Sequence, residues 1–348
     1  MTRVRGMHRR AGTTTARGRA GRARSPALGE FELIDRFFRR NTRHTLLGVG
    51  DDAALLAPTP GCELAVSVDM LVEGRHFFRG TDPEALGHKT LAVNLSDMAA
   101  MGATPRWALL AGALPVADAT WLAAFSRGFF ALAEDSGVDL IGGDTTRGPL
   151  NLCVTILGEL PSGQALLRSG ARPGDTIYVS GTLGDATLAI AQRRGRIALD
   201  QGELGPCERR LLRPLPRIAL GERLRGVATA AIDISDGLIG DLGHVLEASG
   251  VGAAIELAAI PRSRAIERRL SGRTRALALE CLLAGGDDYE LCFTVPQGRA
   301  QEIAALARTL GLRLARIGTI EEGAGLVVID EKGRALASVP RPFDHFAR

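Results

Sequence analysis

From Gly29 onward the chain switches repeatedly between two spacings of apolar residues. Phe31, Leu33, Ile34, Phe37 and Phe38 recur at helical spacing and predict a helix over 29–38. A loop carrying Gly48-Val49-Gly50-Asp51-Asp52 follows, and the apolar run 64–69 predicts a strand. Asp82-Pro83-Glu84 marks a helix start, with Asp as cap and Pro in the first turn, and that helix runs to about Met101. On it Thr90, Asn94 and Asp97 share a face. Strands are predicted at 107–114 and 151–159, with a helix at 119–136 between them. A second region begins near Pro161, with strands ending near Ser180, Ile234 and Val295 and helices at about 184–194, 216–225, 237–248 and 299–310. The elements mix without a strict strand–helix–strand rhythm, so the pattern predicts an α+β chain of two α/β domains rather than a doubly wound sheet. The expected division is a tail over 1–25, an N-terminal domain over 26–160 and a C-terminal domain over 161–348.

Composition changes this picture in three places. The formal charge is +4, but residues 1–29 hold eight arginines and no acid, which leaves 35 basic against 39 acidic residues in the rest, or −4. The tail lacks an apolar pattern and is expected to be disordered. Its composition fits an N-terminus assigned too far upstream, a transit-like segment or a nucleic-acid-binding arm, and the first is the expectation adopted. No apolar run approaches the ~20 residues of a membrane span, so a soluble protein is expected. The five cysteines are odd in number, show no C-x-x-C and lie partly in apolar runs, which points to reduced thiols in a cytoplasmic protein. Aromatic residues, at 4%, are too few for a base-stacking platform, and nucleic acid is not the expected partner.

The candidate chemistry is carried by nine carboxylates in turns or beside apolar runs: Asp51, Asp52, Asp69, Asp97, Asp144, Asp233, Asp236, Asp287 and Asp288. Carboxylates gathered at the ends of buried strands repel one another unless a cation sits among them. With only oxygen ligands on offer and no Cys/His pairs at zinc spacing, the expected ion is Mg²⁺, which keeps positions open for phosphate. Taken singly, Gly50-Asp51-Asp52 also reads as a plain turn, and Asp233-Ile234-Ser235-Asp236-Gly237 as a strand end capping the next helix. Asp97 differs, because it lies on a helix with apolar neighbours on both sides and needs a partner there. The chain has only two lysines, Lys89 and Lys332, and neither lies in G-x-x-x-x-G-K-[ST]; D-F-G and H-R-D are also absent. Any nucleotide is therefore expected to be held by metal, backbone amides and arginine. His76, Arg147 and Arg168 fit surface positions as well as ligand contacts.

Three segments together are specific: Val68-Asp69-Met70-Leu71-Val72-Glu73-Gly74-Arg75-His76-Phe77, Lys89 through Ala103 with its Asn94-Leu95-Ser96-Asp97, and Gly285-Gly286-Asp287-Asp288-Tyr289-Glu290-Leu291. With Gly48 through Ala53, Gly142-Gly143-Asp144-Thr145-Thr146 and Asp233 through Leu238, the chain from about Gly29 resembles the thiamine-monophosphate kinase family of the aminoimidazole ribonucleotide synthetase-like superfamily. That resemblance implies two α/β domains, a homodimer formed by the N-terminal domains, ATP as co-substrate, several Mg²⁺ ions and thiamine monophosphate as acceptor. It implies metal ligands at Asp52, Ser67, Val68, Asp69, Asp97, Asp144, Asp233 and Asp236. Nucleotide contacts are implied at Gly143, Asp144, Arg168 and Ser235, and acceptor contacts at His76, Asp287 and Phe343. Val68 stands where the family often has Thr, and Asp287 where it usually has Glu. No general base is assigned, because a phosphate acceptor is already ionised near neutral pH. The alternatives are an ATP-dependent cyclo-ligase or dehydratase of the same superfamily, and an Arg-tailed nucleic-acid-binding protein.

Overall fold

The computed structural model describes residues 29–341. The tail over 1–25 and Phe343 lie outside the described residues. The chain opens with α1 (Glu30–Leu33), which runs directly into a wider π turn over Ile34–Phe38, so the single helix expected at 29–38 changes pitch midway. A two-stranded ribbon of β1 (Thr45–Leu47) and β2 (Leu55–Leu56) follows. Then come β3 (Cys62–Val72), α2 (Pro83–Met101), β4 (Thr104–Leu114), α3 (Ala119–Ser136), β5 (Asp139–Arg147) and β6 (Asn151–Pro161). The four long strands form one sheet in the order β3-β6-β4-β5, antiparallel except for the β4–β5 pair.

The second half contributes β7 (Thr176–Ser180), α4 (Asp185–Arg193), α5 (Gln201–Leu212), α6 (Ile218–Leu224), β8 (Ala230–Ile234), α7 (Leu238–Ser249) and β9 (Gly252–Glu256). After the short α8 (Arg264–Glu267) and α9 (Arg275–Leu279) come β10 (Glu290–Val295), α10 (Ala300–Leu310), β11 (Leu314–Glu321) and β12 (Gly325–Ile329). Its six-stranded sheet runs β12-β9-β11-β7-β10-β8, and only β12–β9 is parallel. Mixed, mainly antiparallel sheets with helices in both halves match the α+β expectation. Helix α5 was not foreseen, although Asp200 and Glu203 form a capping box that marks its start.

Helix α2 positions the site. Asp82 caps it, accepting from the Ala85 N–H at 2.8 Å, and caps of this kind contribute about 1 kcal/mol. Apolar and small residues lie on every side of it, as befits a helix buried all round. One side packs on α3, where the two backbones nearly touch: a Cβ on Gly128 would lie 1.8 Å from the Glu84 carbonyl, and one on Gly87 2.0 Å from the Phe125 carbonyl. The other side packs on α6 and β8 of the C-terminal half, where a Cβ on Gly221 would meet the Ala99 carbonyl at 2.0 Å. Leu91 and Leu95 are fully enclosed, so truncating either to Ala is expected to cost about 2–5 kcal/mol. Among the described residues no helix is long and apolar enough to cross a membrane.

Candidate active site at the domain interface

Where α2 meets the C-terminal sheet, a cleft of about 310 Å³ opens. Its acidic wall comes from three elements. In β3 the side chains alternate: Ala65 and Leu71 are buried, Ser67 and Asp69 are half-buried on the same side, and Val66, Val68 and Met70 point out. Helix α2 places Asp97 opposite, and the Ser67 hydroxyl donates to Asp97 Oδ2 at 2.6 Å. Asn94, one turn earlier, accepts the Asp69 N–H at 3.1 Å and so ties strand to helix. From the other domain, β8 delivers Asp233, whose Oδ2 accepts from the Ser96 hydroxyl at 2.7 Å. Ser235, Asp236, His76, Asp287 and Tyr289 also line it, with Arg75, Arg194 and Arg196 among the remaining lining residues.

These carboxylates resist ionisation. Burial pushes Asp69 up to about 6, with the charges of Asp97 and Asp236 adding to it. Burial and then Asp97 push Asp233 up to about 8. Asp97 is also raised by burial, while the Ser67 hydrogen bond and the charge of Arg168 pull the other way. Asp241 rises to about 7 through burial, although its Oδ2 accepts from the Ser235, Asp236 and Gly237 N–H groups at 3.0–3.1 Å and so shapes the turn that carries the site. Such a cleft disfavours its own charge and is built to receive an opposite one. Among the described residues no three His, Cys, Asp or Glu side chains stand close enough to hold an ion by themselves. The donors are all oxygens, a set that fits a hard cation whose remaining positions go to water and phosphate.

The other expected site residues lie elsewhere. Asp52, Gly143 and Asp144 line a second cavity of about 710 Å³, between the 34–54 segment and the sheet, which has no lining residue in common with the cleft. Gly143 and Asp144, expected at a turn or a strand end, lie inside β5, paired with Leu110 and Ala111 of β4. Asp69 likewise lies within β3 rather than at its end. Pleating turns the Val68 side chain away from Ser67 and Asp69, and since that side chain carries no donor atom, the backbone carbonyl is the one group Val68 can offer a cation. Arg168 is exposed and reaches the site through its charge on Asp97.

The chain matches the AIR synthase related protein family in two parts, its N-terminal domain over residues 50–160 and its C-terminal domain over 172–331. It is 46% identical over 329 residues to the thiamine-monophosphate kinase of Salmonella typhimurium, covering 92% of this chain and 99% of that one. The chain belongs to the thiamine-monophosphate kinase family. The crystal structure of the Stenotrophomonas maltophilia thiamine-monophosphate kinase superposes with a TM-score of 0.79 at 48% identity, over 89% of this chain and 98% of that one. AaThiL complexed with AMPPCP and TMP superposes with a TM-score of 0.72 at 30% identity, over 91% and 97% of the two chains.

In this member of the thiamine-monophosphate kinase family, several residues that sequence reasoning passed over support the cleft. Ser96 was quoted only as part of a motif and Asn94 only as sharing a helix face with Asp97, yet each bonds a cleft residue. Asp241 could have been found as the acid one turn into the helix after Asp236-Gly237. Asp288 is enclosed, and burial raises its pKa well above the usual carboxylate range; it accepts the Gly184 N–H at 2.8 Å and anchors the Gly285–Leu291 segment. Glu290, fully buried, takes Ser180 and the guanidinium groups of Arg210 and Arg217. On the N-terminal side, Val72 N–H donates to His76 Nδ1 at 3.0 Å, which leaves that nitrogen without a proton.

Proposed function

We propose that the protein transfers the γ-phosphoryl group of ATP to the phosphate of thiamine monophosphate, giving ADP and thiamine diphosphate. The observation that carries this reading is the gathering of Asp69, Asp97 and Asp233 from two domains around one cleft that drives their pKa values up. Several Mg²⁺ ions, shared among Ser67, Asp69, Asp97, Asp233 and Asp236 and completed by phosphate and water, would supply neutralisation of charge on both phosphates. An oxygen of the acceptor phosphate attacks the γ-phosphorus, a new P–O bond forms, and the bond to the β-phosphate oxygen breaks. The chain's part is positioning, and no side chain is assigned as base or nucleophile. Ser235 and Arg168 hold the nucleotide from the cleft side and Gly143 and Asp144 from the second cavity, where Asp52 and Asp144 would also serve as metal ligands. His76 and Asp287 meet the acceptor.

The protein works as a homodimer. Leu64, Val66, Val68 and Met70 are large apolar side chains exposed on one face of β3, a stripe that a second copy of the same sheet would cover. The nucleotide residues Gly143 and Asp144 belong to the same four-stranded sheet, on its other edge strand, which supports a nucleotide site on the sheet that the second copy would cover. Five free cysteines fit a cytoplasmic setting. Purified protein with ATP, Mg²⁺ and thiamine monophosphate is expected to form thiamine diphosphate, and EDTA to abolish it. Product from free thiamine, or ADP release only with an amide-bearing ribonucleotide, would overturn the reading.

A further inference from the structure

Apart from Lys332, exposed in a turn, the chain has one lysine, and it is buried to 2% exposure in a helix of otherwise mainly apolar and small residues. An ammonium group in such a place is costly unless it is paired. Lys89 Nζ lies 2.9 Å from Asp287 Oδ1 and donates to the His76 carbonyl at 3.4 Å. One cation on α2 therefore touches both segments to which the acceptor contacts are assigned, one from each domain. Asp287, His76 and Lys89 also line a recess of about 40 Å³ that shares residues with the cleft.

Asp287 is held with unusual care. Tyr289 Oη donates to the same oxygen, Oδ1, at 3.1 Å. Two donors on one carboxylate oxygen fix the direction of the group. The backbone is strained to place it, since Asp287 and Tyr289 have φ of +68° and +50°, values that side-chain-bearing residues seldom adopt. Their N–H groups are pinned to the Ser235 and Ile234 carbonyls at 2.9 and 2.8 Å. Strain of this kind persists where neighbouring contacts over-determine the conformation.

We infer that Lys89 is a positioning residue for the acceptor: through its ion pair it fixes Asp287 and the His76 loop across the domain interface. This rests on the acceptor site proposed above. Because the Asp287 charge is balanced inside the protein, the group orients the cationic acceptor by a directed hydrogen bond rather than by net charge.

Steady-state kinetics with each substrate varied in turn test this on Lys89→Met, Tyr289→Phe, Asp287→Asn and the Lys89→Met/Asp287→Asn double variant. Lys89→Met is expected to raise KM for thiamine monophosphate by about tenfold while KM for ATP stays within about twofold. Tyr289→Phe is expected to raise the acceptor KM by about threefold, and in the Asp287→Asn background Lys89→Met should add less than about twofold. Equal shifts in both KM values, or a full Lys89→Met effect in the Asp287→Asn background, would show that Lys89 only supports the fold and overturn the inference. If Lys89→Met does not fold by circular dichroism, Tyr289→Phe decides, and an unchanged acceptor KM there overturns it. Failure of the functional reading is distinct, because wild-type protein would then form no thiamine diphosphate at all.

Discussion

The cleft at the domain interface and the open face of the N-terminal sheet carry expected site residues in very different states of completion. In the cleft, Asp97 and Asp233 each have a hydroxyl partner, Asp69 is tied back to Asn94, and burial has shifted the acids upward. On the open face, Asp52, Gly143 and Asp144 are exposed, and β3 at the opposite edge of the sheet leaves Leu64, Val66, Val68 and Met70 in solvent. The first set is hydrogen-bonded and buried or half-buried within one chain. The second stays open beside an exposed apolar strand face, and under the proposed homodimer a second copy would cover it. A residue's role in a site of this kind follows from whether the chain alone desolvates it.

Three experiments would break or sharpen that contrast. The largest effect is expected in the cleft. Asp97→Asn keeps the shape but cannot offset cation charge, and the loss should approach ~2.7–4 kcal/mol of transition-state stabilisation, by analogy with lost oxyanion donors. That is about 10²–10³ in kcat, with circular dichroism unchanged; near-normal turnover at saturating Mg²⁺ would make Asp97 structural. On the open face, Val66→Arg with Val68→Arg sets like charges against each other across a two-fold interface. The dimer should weaken by roughly a hundredfold in sedimentation experiments, and activity should fall with it as protein is diluted. A variant that stays dimeric at nanomolar concentration would place the contact on another surface.

The smallest effect is in stability against pH without metal. Asp69, Asp241 and Asp233 have folded-state pKa values of about 6, 7 and 8, against 3.8 when exposed. Between these limits the folded state binds more protons than the unfolded one. Their stabilisation is therefore complete below pH 3.8 and is lost as pH rises through 6 to 8. Asp233→Asn removes the highest of these steps, so in EDTA at pH 8 it should melt about 2 °C or more above wild type, with the gap closing toward pH 5. Added Mg²⁺ should reverse the order at pH 8. A variant that melts lower at pH 8 in EDTA would show that Asp233 is ionised at little cost.

Much of the cleft could be read from the chain because its signals are local. Asp82-Pro83 announces α2, and an acid beside Leu95 and Met98 demands a partner wherever the helix goes. The Asp-x-Ser-Asp-Gly turn after an apolar strand is similarly conspicuous. What could not be read depends on pleat and on distance in space. Whether Val68 or Asp69 faces the cleft is a matter of strand phase, settled by which side of β3 meets α2. Asp144 in β5 follows two glycines, which in sequence resemble a turn although the strand runs straight through them. Lys89 was read only as lying outside a phosphate-binding loop, because its partner is almost 200 positions away and only the crossing of α2 with the second domain brings them together.

The near-contacts of α2 with α3 and with α6 have a consequence for heredity. Gly87, Gly128 and Gly221 carry no functional group, yet a single methyl at any of them would overlap a carbonyl of the neighbouring helix. The helices would have to separate, and with α2 would go Lys89, Ser96 and Asp97 together. Lineages that keep this chemistry are thus confined at places remote from any reacting atom. A survey of damaging substitutions would mark the seams of the scaffold as clearly as the carboxylates it presents.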